Sequence, residues 1–202
     1  MIILQIRRQP TFKATQRTLA CLIIATSVSL SAYAAEPLAV PTANFIDKET
    51  VAFPGNFRTW PVVSTAVVPK GGINPLDLQP APTPEFMIVY VEPTALSVFL
   101  KTRQWPDGSQ IVKEFSQAKV DGNGKYSQIQ YSGVGMMVKN AKHFSGDAGN
   151  WAYFSFGRHS GPYAINAKKL PTARCASCHI EKVADKDYVF SDLHLGLQPP
   201  LK

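Results

Sequence analysis

The 202-residue sequence is poor in cysteine, in dense basic clusters and in long apolar runs, and each shortage excludes something. It holds three cysteines, and one of them, Cys21, lies in an N-terminal segment that reads as removable. Cys175 and Cys178 are then left to pair with each other or to share one group. The formal net charge is +7, but no Lys/Arg cluster is dense enough to form a nucleic-acid-binding stripe, so no nucleic-acid partner is expected. The only extended apolar run is short for a bilayer span and contains Thr26, Ser27, Ser29 and Ser31. Long uninterrupted helices are also unexpected, because 16 prolines and 13 glycines are spread along the chain.

That apolar run follows Arg7, Arg8, Lys13 and Arg17, with no acidic residue before it, and ends in Ala32-Tyr33-Ala34. Basic start, apolar middle and small-residue end form the layout of a secretory signal peptide, assigned to residues 1–35. A membrane anchor is the alternative. Removal of four positive charges leaves +7 − 4 = +3 on residues 36–202, which are expected to form one domain. Export places that domain in an oxidising compartment, where a Cys-x-x-Cys pair could form a redox disulfide. Such sites usually open a helix early in an α/β domain, whereas this pair lies 24 residues from the C-terminus.

Cys175-Ala176-Ser177-Cys178-His179 is a C-x-x-C-H motif, the attachment signature of haem c. Two thioethers from adjacent turns of a short helix can grip the macrocycle, and the next residue brings an imidazole to the iron. Cys175 and Cys178 are therefore the candidate attachment residues and His179 the candidate metal ligand. Pro171 and Thr172 precede the motif, and Thr172 is placed as the helix N-cap.

The fold expected around this motif is mainly β (α+β), an antiparallel sheet with a few helices and a C-terminal haem-binding helix. Short β-like runs occur at 86–91, 109–115, 126–138 and 151–156, separated by turns at 106–108, 121–124 and 146–149. Residues 93–101 read as a helix opened by Pro93, and residues 70–84 as a loop. There is no internal repeat. Period-two alternation puts Ile111, Lys113 and Phe115 on one strand face and Gln110, Val112 and Glu114 on the other. Lys113 thus shares the more apolar face. Either its stem snorkels at the sheet rim, or its amine points at the cofactor with a lowered pKa.

Several stretches together resemble the cytochrome P-460 family: "FPGNFRTWPVVSTAV" (53–67), "IVYVEPTAL" (88–96), "WPDGSQIVKE" (105–114), "GNWAYFSF" (149–156), "LPTARCASCH" (170–179) and "ADKDYVF" (184–190). The resemblance implies a periplasmic, β-rich homodimer that carries haem c and oxidises hydroxylamine to nitric oxide and nitrous oxide. It also implies a lysine bonded covalently to the macrocycle. In the segment Asp107–Glu114 that lysine is Lys113. Active relatives place a distal glutamate, a proton acceptor, at the position that aligns with Gly135. No Asp or Glu occurs between Asp121 and Asp147, so turnover to nitrous oxide is where this chain is expected to be impaired.

The sixth iron position is expected to be open or water-bound. Met136, Met137, His143, His159 and His194 are formal alternatives. The methionines read as core and the histidines as solvated. Trp60, Trp105 and Trp151 read as core or dimer-contact aromatics, while Tyr131 and Phe115 are candidates for the distal side. Three functions compete: an enzyme that passes electrons from hydroxylamine to a soluble electron acceptor, a nitric-oxide binder like the related cytochromes c′-beta, and an electron carrier with a sixth protein ligand.

Overall fold

The computed structural model describes residues 40–146, 148–159 and 161–199. The expected signal peptide, residues 1–35, lies outside them. The described residues contain a two-stranded and a five-stranded antiparallel sheet. The strands are β1 (Thr50–Ala52), β2 (Val62–Val68), β3 (Glu85–Val91), β4 (Gln110–Val120), β5 (Tyr126–Lys139), β6 (Trp151–Arg158) and β7 (Asn166–Lys168); the helices are α1 (Pro93–Thr102) and α2 (Cys175–Val183). β1 pairs with β7, and β2 to β6 form a meander in chain order. The expected mainly β fold with a C-terminal helix is what is found.

The local reasons are visible in the residues. α1 starts where Pro93 supplies a helical φ and the Glu92 carboxylate accepts from the Ala95 backbone N–H at 2.7 Å. It ends at Arg103, in the left-handed region. Each face of the large sheet carries its own core. Val112, Val134, Met136, Val138 and Phe154 belong to one core, with Phe57 and Trp60 packed against them. Val89, Val91, Ile111, Met137 and Tyr153 belong to the other, under α1 and α2. Phe99 of α1 stacks on Trp105 with ring centroids 4.1 Å apart, and Trp105 meets Trp151 edge-on at 6.3 Å. Burying each such ring contributes about 1.5–3 kcal/mol, and this packing places α1 on the cavity-bearing face. All three tryptophans are buried, in accord with a core role.

β4 extends beyond the expected strand, to Val120, because its outer half pairs with the exposed half of β5. Helix α2 begins at Cys175, after a turn over 172–174, and Arg174 rather than Thr172 stands at its N-cap with no side-chain bond. Thr172 contributes instead through its backbone carbonyl, which accepts from the Ser177 N–H at 2.8 Å.

Candidate functional site

The register β3–β4–β5–β6 builds one wall of a cavity of about 620 Å³. Lys113 pairs with Val89 and Gly135, Ile111 with Met137, and Met137 with Tyr153. Ile111, Lys113 and Phe115 thus share the face with Gly135 and Met137, as alternation requires. Helix α2 supplies another part of the wall. Cys175 and Cys178 stand three apart and His179 follows directly, so one short helix brings all three to the cavity. Among the described residues neither cysteine is in a disulfide. Cys175 is half-buried, and burial pushes its thiol pKa up.

His179 is oriented from behind. Its Nδ1 lies 2.7 Å from the Tyr188 carbonyl oxygen, so Nδ1–H donates and Nε2 keeps its lone pair. Tyr153 and Phe190 flank the imidazole at ring distances of 4.7 and 4.9 Å. Burial, with a smaller contribution from the charge of Lys113, lowers the His179 pKa to about 4 against the opposing Tyr188 bond, so the ring is neutral at pH 7. The carbonyl itself is fixed by unusual backbone. Asp187 and Tyr188 have φ of 52° and 60°, and Asp187 is anchored to Lys139 Nζ at 2.6 Å. Gly149 leaves room for the Tyr188 ring, since a Cβ there would come within 2.3 Å of it.

Lys113 is half-buried and lines the cavity. Burial lowers its pKa, partly opposed by negative charge on Cys175 and Cys178, and no acidic side chain pairs with it among the described residues. It points into the cavity and does not snorkel at the rim. Phe115 is fully buried and lines the cavity as well.

Other expected positions are corrected. Tyr131 does not line the cavity: it is 45 % exposed and lies under the Arg58 guanidinium at 4.3 Å. Met136 and Met137 are buried core residues, as expected, in the clusters on opposite faces of the sheet. The histidines are not uniformly solvated. His159 is partly exposed and 3.0 Å from Asp77, while His143 stacks on Phe45 at 4.2 Å. His194 is only 5 % exposed, lines the cavity, and has an Nδ1 without a partner among the described residues. Its burial depends on Gly196, whose backbone presses on Val63, and on Arg103, which donates to the Leu197 carbonyl at 2.7 Å. That contact spans 94 residues and had no local sequence signal.

Burial, then the charge of Lys113, lowers the His194 pKa to about 4. Between about pH 4 and 6.5 the unfolded chain therefore binds the proton that the folded chain refuses, and stability falls as pH drops through that window. His194→Phe is expected to flatten this part of the stability profile, measured as the urea midpoint at pH 7 against pH 4.5. An unchanged profile would count against a neutral, buried His194.

These residues fit haem c. The cavity lies within the roughly 300–1,000 Å³ usual for cofactor sites. It offers two thiols on one helix, an imidazole with a free Nε2, apolar walls, the Lys113 amine, and a buried His194 whose Nδ1 has no partner among the described residues. No carboxylate lines it among the described residues, and Gly135 contributes bare backbone to its wall. The family model described as Cytochrome P460 matches residues 54–191. No curated protein matches the chain. The match covers most of the sequence and includes Lys113, Cys175, Cys178 and His179, while His194 falls just beyond it; the chain belongs to the Cytochrome P460 family, a family of haem c cytochromes.

Proposed function

We propose that this chain is a periplasmic mono-haem cytochrome that oxidises hydroxylamine to nitrogen oxides and passes the electrons to a soluble acceptor, working as a homodimer after loss of residues 1–35. The observation that carries the reading is Lys113, a buried amine without an acidic partner among the described residues, in the same cavity as Cys175, Cys178 and His179. Cys175 and Cys178 would hold the haem through thioethers, His179 through Nε2, and Lys113 through a bond from Nζ to the macrocycle. When bound, haem c supplies an iron that binds hydroxylamine and accepts its electrons. His179 keeps Nε2 unprotonated by donating Nδ1–H to Tyr188. Ile111, Phe115 and Met137 give the cavity an apolar wall.

Hydroxylamine must also shed protons, and among the described residues the cavity has no carboxylate to receive them. Lys113 and His194 are the basic side chains facing the cavity besides His179 and Arg174. Leu76 reaches over Gly135, within 2.7 Å of where a Cβ would stand. This apolar replacement favours a second reading, a nitric-oxide binder of cytochrome c′-beta type without turnover.

The two readings separate in an assay of hydroxylamine consumption with a soluble acceptor and gas analysis of the products. The wild-type holoprotein is expected to consume hydroxylamine with little nitrous oxide. Gly135→Glu alone collides with Leu76, so the informative variant pairs Gly135→Glu with Leu76→Ala. A restored general base is expected to raise nitrous oxide yield by about tenfold or more. No hydroxylamine consumption by either protein would leave the nitric-oxide binder as the reading.

A further inference from the structure

Leu76 sits in the Pro/Gly-rich loop between β2 and β3, yet it is only 8 % exposed and lines the haem cavity. Its two methyl carbons rest on consecutive inward positions of β5. A Cβ on Gly135 would lie 2.7 Å from Cδ1, and a Cβ on Gly133 would lie 3.0 Å from Cδ2. A side chain at Gly135 would displace Leu76 from this place, and one at Gly133 would crowd both Leu76 and the Arg158 stem.

The loop is held there by a charged network. Leu76 N–H donates to Asn74 Oδ1 at 2.8 Å, and Asn74 Nδ2 donates to Glu85 Oε2 at 2.7 Å. Arg158 grips both oxygens of Glu85, at 2.8 and 2.7 Å, and its Nε reaches Asp77 Oδ2 at 3.1 Å. Asn74 and Glu85 are fully buried. Charge-assisted, bidentate contacts of this kind fix geometry as well as adding energy.

The strand register separates Leu76 from His179. The imidazole rests on Tyr153, which pairs with Met137, while Leu76 rests on Gly135 and Gly133. At about 3.4 Å per residue, the supports under the two side chains are roughly 7–14 Å apart along β5. Lys113, paired with Gly135, stands on the neighbouring strand in the same zone.

We propose that Leu76 sets the size limit of the ligand-binding face opposite His179, with Asn74, Glu85 and Arg158 as the residues that position it. The assignment rests on the haem reading of the cavity. Ligands of two heavy atoms, such as nitric oxide and hydroxylamine, pass beneath the leucine, and longer ones meet it. Because buried hydrogen bonds anchor the backbone that carries the leucine, the side chain stays over the ligand and discriminates by size.

The test is optical titration of the ferrous holoprotein with carbon monoxide and with n-butyl isocyanide. Leu76→Ala is expected to raise n-butyl isocyanide affinity, relative to carbon monoxide, by about tenfold or more, the range that a few methylenes command in an apolar pocket. Leu76→Met, which conserves volume, is expected to leave the ratio near that of the wild type. Gly135→Ala pushes Leu76 toward the ligand and is expected to move the ratio the opposite way, so the inference stays testable if Leu76→Ala folds poorly. Carbon monoxide binding with a ratio unmoved in Leu76→Ala and Gly135→Ala would overturn the role of Leu76 alone. Failure of carbon monoxide to bind the wild type would overturn the open haem face, and this inference with it.

Discussion

Arg158→Ala is expected to destabilise the protein by about 3–5 kcal/mol, the usual cost of stranding one half of a buried ion pair. Glu85 is the half left behind, and it is fully buried. Burial alone would raise its pKa, but bonds from Arg158, Ser132 and Asn74 outweigh that and hold it below the usual carboxylate value. Loss of the guanidinium removes the strongest of these partners and the tie to Asp77. For a domain of this size the drop in Tm is expected to be roughly 10 °C. Glu85→Gln in the Arg158→Ala background removes the stranded charge and should recover part of the loss. A single-variant cost below about 1 kcal/mol would show that the network does not hold the loop.

Lys113→Met should change the pigment more than the fold. The substitution removes a buried amine that lacks an acidic partner among the described residues and keeps an unbranched apolar stem. Before haem attachment the variant should be as stable as the wild type or more so, by about 1–3 kcal/mol, because an unsatisfied buried polar group is lost. With haem attached through Cys175 and Cys178, a strongly red-shifted ferrous Soret band in the wild type should revert to an ordinary c-type position in the variant. Distortion of the macrocycle by a third bond is the physical cause. Identical spectra for the two proteins would mean that Lys113 leaves the macrocycle unmodified.

The two variants also divide what the sequence could and could not tell. The orientation of Lys113 was readable because β4 alternates cleanly, and any antiparallel register keeps Lys113 on the face of Ile111 and Phe115. The C-x-x-C-H motif was readable because its spacing is local to one helix. β2 was harder to see. It is an edge strand whose outer residues are mostly exposed, so it shows no apolar alternation. The Arg158–Glu85 contact joins residues 73 apart, and neither residue has a neighbouring signal for it. Leu76 was hidden in a segment whose composition says only loop. Its one trace was on another strand, where Gly133 and Gly135 clear the same face two residues apart. His194 was misplaced for a similar reason: a polar, turn-rich tail looks solvated until Gly196 lets it press against β2.

A haem held at three points, by Cys175, Cys178 and Lys113, is tested most directly by mass spectrometry of a tryptic digest of the native holoprotein. The predicted product is one species in which the porphyrin joins residues 104–119, uncut after Lys113, to residues 175–182. Recovery of the porphyrin on residues 175–182 alone, with normal cleavage after Lys113, would contradict it.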